Sequence, residues 1–207
     1  MLSSAALRTS CACGLLAALT PASRAADSAV ERIVPDVAAL AGQPLTTLPA
    51  PPAWVEIPPG PSWTVAKVAA DFRAATAKPP PITYVRAEFI RPDYQWFLAY
   101  IKWFRSLHKP LHMEYEEDAF DCDKYSRCFV AFANLLAEKS GETRGSLCVG
   151  WAVVFNDRTF AGVAAGGQHA VVIVDTTAGL IVVEPQTGAI IPLRDYPNRD
   201  TLSAFYL

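Results

Sequence analysis

Phe120-Asp121-Cys122-Asp123-Lys124-Tyr125-Ser126 is an acidic stretch that turns into an apolar helix, with a cysteine in the first turn. Asp121 is a good N-cap, and Tyr125, Phe129, Val130, Ala133 and Leu136 fall on one face of a period of about 3.6 residues. Lys139 in the last turn and Gly141 beyond it mark the end. Helix-terminal amides favour a nearby anion, and the thiolate is the nucleophilic form of cysteine. Cys122 is therefore placed where a thiol is predisposed to react. The ordinary role of a free cysteine is that of a small buried hydrophobe, so the choice between the two rests on what the chain brings to it.

Working outward, residues 147–155 read as a strand, with Cys148, Ala152 and Val154 on one side and Val149, Trp151, Val153 and Phe155 on the other. Both sides are apolar, which places the strand in the middle of its sheet. Residues 156–168 form a long glycine-bearing loop, a length often associated with function. The loop delivers His169 to the next strand. Ala170-Val171-Val172-Ile173-Val174, a turn in Asp175-Thr176-Thr177-Ala178-Gly179, and Leu180-Ile181-Val182-Val183 read as a hairpin. A two-residue turn at Thr176-Thr177 sets His169 directly opposite Glu184, and a four-residue turn offsets them by a diagonal of about 7 Å. Either keeps the two on one face; a three-residue turn separates them. Residues 188–193 can supply a third strand, limited by Pro185 and Pro192. Residues 201–207 form a tail with no legible chemistry.

Upstream, residues 1–26 combine Arg8, a short apolar run and Pro21-Ala22-Ser23-Arg24-Ala25-Ala26, the pattern of a signal peptide cut after Ala25 or Ala26. The run is short for a bilayer span, and Cys11 precedes it, so a periplasmic or secreted protein without a membrane anchor is expected. Residues 27–60 carry Pro44, Pro49, Pro51, Pro52, Pro58 and Pro59 and read as an extended arm or linker, which Trp54, Val55 and Ile57 can tie down. Residues 61–207 are long enough for a single domain with its own core.

Two helices are expected before the central stretch. Ser62 caps one bearing Val65, Val68, Ala69 and Phe72, stopped by Pro79-Pro80-Pro81; residues 82–90 follow as a short strand or extended link. Asp93 caps the other over 94–109, where Trp96, Phe97, Tyr100, Ile101, Trp103 and Phe104 cover most of the circumference. That pattern belongs to a buried helix rather than to a membrane-facing or sugar-stacking surface. His108 and His112 have HxxxH spacing, but Pro110 between them breaks the helical register that zinc needs. The acidic residues from Glu114 to Asp123 do not match a calcium-loop pattern and read as a solvated loop. No metal and no cofactor are expected.

A formal net charge of -2 with no basic tract gives no electrostatic reason to expect nucleic acid or an anionic membrane as partner. Without the leader, Cys122, Cys128 and Cys148 remain, and an odd count in an exported protein suggests one disulfide and one free thiol. Cys128 lies about 240° around the helix from Cys122, which leaves Cys128–Cys148 as the preferred pair, with three reduced thiols as the alternative.

Asp121-Cys122-Asp123 at a helix start, Gln168-His169-Ala170-Val171 opening a strand, and an acid 15 residues after the histidine resemble the transglutaminase-like superfamily, nearest the bacterial transglutaminase-like cysteine peptidases. The resemblance covers about 115–192. It implies a papain-like α+β fold in which N-terminal helices and the Cys-bearing helix pack on a small antiparallel sheet. It also implies Cys122 as nucleophile, His169 as general base and acid, and Glu184 as the group that orients the imidazole. The family usually has Asp at the third position, and Glu184 is one methylene longer. Gln168 and Gln186 are candidates for an oxyanion or substrate contact. The implied activity is that of an exported thiol-dependent amide hydrolase working through an acyl-enzyme on protein or peptide substrates of the cell envelope. The alternative is an inactive domain of the same fold that binds a peptide, glycan or protein partner through its Trp-rich segments.

Overall fold

The alternation read in residues 147–184 builds the centre of the protein. In the computed structural model, which describes residues 49–55, 63–111, 113, 121–139, 142 and 144–207, the strands are β1 (Trp63–Thr64), β2 (Ile82–Thr83), β3 (Glu88–Ile90), β4 (Ser146–Leu147), β5 (Val149–Phe155), β6 (Gln168–Thr176), β7 (Gly179–Glu184), β8 (Ala189–Pro192) and β9 (Leu202–Tyr206). Helices α1 (Val65–Ala75), α2 (Tyr94–Ser106) and α3 (Cys122–Lys139) are interspersed, and two short 3-10 turns precede β9. The described residues lie within one compact unit, Leu48–Leu207.

The main sheet has six strands in the order β2-β9-β5-β6-β7-β8, and a second sheet has the order β1-β3-β4. β6 is buried from its second residue onward, because both faces of the sheet are covered. Val172, Val174, Ile181 and Val183 meet Phe97, Tyr100 and Phe104 of α2 and Tyr125, Phe129 and Ala133 of α3. Val171, Ile173, Val182, Ala152 and Val154 meet Val68 and Phe72 of α1 together with Leu193, Tyr196 and Phe205. This is a three-layer arrangement in which odd and even residues of β6 feed different cores. The aromatic helix is core, as its pattern requires: Trp96, Phe97, Tyr100, Ile101 and Phe104 are all buried. Tyr100 Oη donates to the Phe129 carbonyl at 2.5 Å, fastening α2 to α3.

The helix starts follow their capping chemistry. Asp93 accepts from the Trp96 amide at 2.9 Å, and Asp121 accepts from the Lys124 amide at 3.4 Å while its carbonyl takes the Tyr125 amide. α1 departs from the reading: Thr64, not Ser62, is its cap. Helix α2 ends at Ser106, short of Lys109, and the chain turns before Pro110.

The expected fold class is corrected at the sheet. A small antiparallel sheet under several helices does not describe a protein with nine strands and three helices among its described residues. The tail is an interior strand, β9, antiparallel to β5 and parallel to β2. Residues 82–90 are two strands belonging to two different sheets. The strand expected over 147–155 is also divided: Leu147 pairs with β3 and Val149 begins β5. Cys148 joins the two, its amide donating to Ile90 and its carbonyl accepting from Asp175.

The Cys128–Cys148 disulfide is likewise corrected, since Cys122, Cys128 and Cys148 are all free thiols. Cys148 points into the core shared with Val68 and Phe72, whereas Cys128 packs on the opposite core, beside Phe129. The sheet stands between them. The leader expected at 1–26, most of the arm expected at 27–60, His112 and the acidic stretch 114–120 lie outside the described residues. Of the arm, Trp54 packs edge-on against Trp96 at 4.6 Å between centroids, and the Pro49 carbonyl accepts from the Trp103 indole at 2.8 Å.

Candidate functional site

Cys122 opens α3 and is half-buried. The carboxyl groups on either side of it act on each other: a hydrogen bond from a protonated Asp123 favours the Asp121 carboxylate and lowers its pKa, while the Asp123 pKa is raised. Asp123 also pairs with Arg127 one turn on, at 2.8 Å, and the Arg127 guanidinium lies over the Trp151 ring at 4.8 Å.

His169 and Glu184 come together as the hairpin register dictates. Thr176 pairs with Gly179 and Val172 with Val183, so the loop is Thr177-Ala178. In that register His169 and Glu184 are offset by one diagonal on the same face, the geometry of the four-residue alternative. Glu184 Oε2 lies 2.6 Å from His169 Nε2, with His169 8% exposed and Glu184 fully buried. The other carboxylate oxygen, Oε1, accepts from the Gln186 amide at 3.2 Å. Burial alone lowers the His169 pKa, but hydrogen bonds with Cys122 and Glu184, and their charges, outweigh it and raise the pKa to about 9. The pairing of β6 with β7 stops at Val172, three residues short of His169. At that end of the sheet the imidazole hydrogen-bonds both Cys122 and Glu184.

Gln168 and Gln186 do not join this group through their side chains. Gln168 is exposed at the start of β6, and Gln186 serves Glu184 with its backbone amide. His108 is also apart, caged between Phe104 and Tyr125 at 5.2 Å from each, and burial lowers its pKa, with Arg105 adding to the effect. Among the described residues no group of three or more His, Cys, Asp or Glu side chains is arranged to hold a metal ion, and no helix is long and apolar enough to cross a membrane.

A second feature was not legible as a site in the sequence. A cleft of about 690 Å³ is lined by Trp63, Asp71, Arg91, Tyr94, Leu180 and Arg194, among others. It shares no lining residue with Cys122, His169 and Glu184. Behind its wall, Asp175 is 1% exposed. Asp175 Oδ1 lies 3.1 Å from Arg91 Nε, an ion pair without the alignment of a hydrogen bond, and Oδ2 accepts from the Trp63 indole. Arg91 in turn donates to the Thr176 carbonyl and stacks over Trp63, 4.1 Å from the ring centroid. Burial pushes the Asp175 pKa up to about 6; Arg91 and the Trp63 indole pull against it, and Asp71 adds to it. One signal was available: Asp175 continues the inward parity of Val171 and Ile173, and a carboxylate at a buried position needs a cation.

The sequence matches no family model and no curated protein. Solved structures of similar fold include the following two. One is described as "PSL1a-E64 complex", with a TM-score of 0.54 and 15% identity over 70% of this chain and 50% of that one. The other is a Polyporus squamosus lectin bound to the human-type influenza-binding epitope Neu5Acα2-6Galβ1-4GlcNAc, with a TM-score of 0.54 and 16% identity over 70% of this chain and 49% of the lectin. This chain is therefore similar in fold to about half the length of each.

These likenesses overturn the resemblance to the transglutaminase-like, papain-like proteins, and with it the reading of a cysteine peptidase or amide hydrolase. The physical reason is the reach of the motifs. Asp121-Cys122-Asp123, Gln168-His169-Ala170 and Glu184 constrain one helix start and two strand ends, and a sheet-rich fold supplies those as readily as a papain-like one.

Proposed function

We propose that this chain is a glycan-binding module whose ligand sits in the cleft between Tyr94, Leu180, Asp71, Arg91 and Arg194. The observation that carries the proposal is the composition of that cleft. A sugar ring offers an apolar C–H face and an edge of hydroxyls; the cleft offers apolar wall at Tyr94, Leu180 and Ile181, and convergent polar groups at Asp71, Arg91 and Arg194. An Arg fork and a carboxylate supply donors and an acceptor in fixed directions. The solved lectin with a bound sialylated trisaccharide supports the reading at the level of fold.

A glycan array probed with the purified protein tests it, with Tyr94→Ala and Arg194→Ala as controls on the half-buried and exposed rims of the cleft. Binding that either substitution abolishes is the expected result. An array with no bound glycan, or binding unchanged in both variants, would sink the proposal.

Cys122, His169 and Glu184 are proposed as a reactive-thiol centre within the same module, with no reaction assigned to it. The supporting observation is the 2.6 Å His169–Glu184 contact, which fixes an imidazole that also hydrogen-bonds Cys122. Export to a periplasm or beyond remains part of the proposal on the pattern of residues 1–26, and N-terminal sequencing of the mature protein tests it.

A further inference from the structure

We infer that the cleft is an acid-gated site for a negatively charged saccharide, in which proton uptake by Asp175 removes the charge of Arg91's buried partner and leaves the guanidinium available to an anionic ligand. This rests on the glycan-binding reading above and adds to it the charge of the ligand and the condition for binding.

The geometry is that of a charge held in reserve. Arg91 lines the cleft with its side chain 27% exposed, and its partner Asp175 is fully buried behind it. The guanidinium is fixed by two contacts that do not depend on pH, the Thr176 carbonyl and the Trp63 ring. Loss of the Asp175 charge therefore leaves Arg91 in place without the carboxylate it pairs with, and moves the charge around the guanidinium one step towards positive, in favour of an anion in the cleft.

The groups that face Asp175 from each neighbouring element support this order of events. Asp71 comes from α1, where Lys67 lies over the Trp63 ring; the Trp63 indole comes from β1, Arg91 from the link between β3 and α2, and the Cys148 thiol from the junction of β4 and β5. Burial, then Asp175 itself, pushes Cys148 well above the usual thiol range, so it stays neutral. Burial, with Asp71 adding to it, makes Asp175 easy to protonate, at about 6. The part of the Arg91 guanidinium that lines the cleft would then meet an anionic ligand as a charged donor.

The test follows the Trp63 indole N–H resonance of the intact protein during titration with glucuronate, and with glucose as the uncharged control, at pH 5 and pH 7.5. If only the protonated form is competent, the apparent affinity scales with its population, so glucuronate is expected to bind at least roughly tenfold more tightly at pH 5. Glucose should show no such difference, and Asp175→Asn should bind glucuronate equally at both pH values. Glucuronate affinity that is the same at pH 5 and 7.5, in a protein that does bind glycans on the array, overturns this inference and leaves the binding module standing. An array empty at both pH values, with no glucuronate binding, overturns the binding module and this inference together. Should Asp175→Asn fail to fold, Asp71→Asn reports instead: the pH midpoint of the Trp63 resonance is expected to fall, and an unmoved midpoint overturns the proposal.

Discussion

His169 Nε2 and Glu184 Oε2 lie 2.6 Å apart on adjacent strands, with Glu184 fully buried and His169 nearly so. A buried pair of this kind ties the protonation of one residue to the stability of the whole sheet. The His169 pKa rises from 6.5 to about 9, so the folded state holds its proton more tightly than the unfolded chain does. That contribution is fully present below pH 6.5 and is lost as pH rises through 9. Denaturant unfolding should show a loss of about 3 kcal/mol between pH 6 and pH 9.5 attributable to this residue. Glu184→Gln should flatten the profile over that window; an unchanged slope would show that the pair does not set it.

Cys122 gives a chemical readout of the same cluster. Iodoacetamide should alkylate it in the native protein. His169→Ala should alter the rate, because the hydrogen bond between the two residues is removed. Cys148, 1% exposed and with its thiol pushed up by burial, should stay unlabelled until the protein unfolds. An inert or oxidised Cys122 would remove the reactive-thiol centre.

The three thiols can also be counted. Cys128 and Cys148 point into cores on opposite faces of the sheet, so Cys122, Cys128 and Cys148 should all be free thiols when the protein is unfolded without reductant. Intact mass after alkylation under those conditions settles it, and a mass two alkyl groups short would reveal a disulfide that the packing does not allow.

Local signals carried far in this chain, and pairing did not. The capping of α3 by Asp121, the buried circumference of α2 and the register that joins His169 to Glu184 follow from short-range rules, and the structure repeats them. The fold class did not follow, because it turns on residues with weak patterns. β2 is two residues long, and β9 follows polar turns at the end of the chain, so nothing nearby in sequence marks either as part of a six-stranded sheet. The cleft was missed for a related reason: Trp63, Asp71, Arg91 and Asp175 lie on four separate elements, and Asp175, at the end of an apolar strand, was read as a turn residue. The partnership of Arg91 with a residue 84 positions away is visible only once the sheets are assembled.

The hidden strand β9 can be tested through the one glycine that it touches most closely. Gly150 sits on β5 where a Cβ would come within 2.2 Å of the Tyr206 carbonyl oxygen and 2.7 Å of the Phe205 ring. The first of these is backbone, which cannot swing aside as a side chain does. Gly150→Ala must therefore push β9 away from β5 or bend the strand that carries Val149 and Trp151. Overpacking of this kind costs about 1–3 kcal/mol, and the high end is expected because Phe205 belongs to the buried core with Val68 and Phe72. Gly179→Ala gives the contrast: it meets no atom within 4 Å, and its cost should arise only from its φ of +105°. Urea unfolding of the two variants separates a clash that disrupts the sheet from strain confined to a turn. A Gly150→Ala protein as stable as the parent would mean that β9 does not pack where the sheet places it.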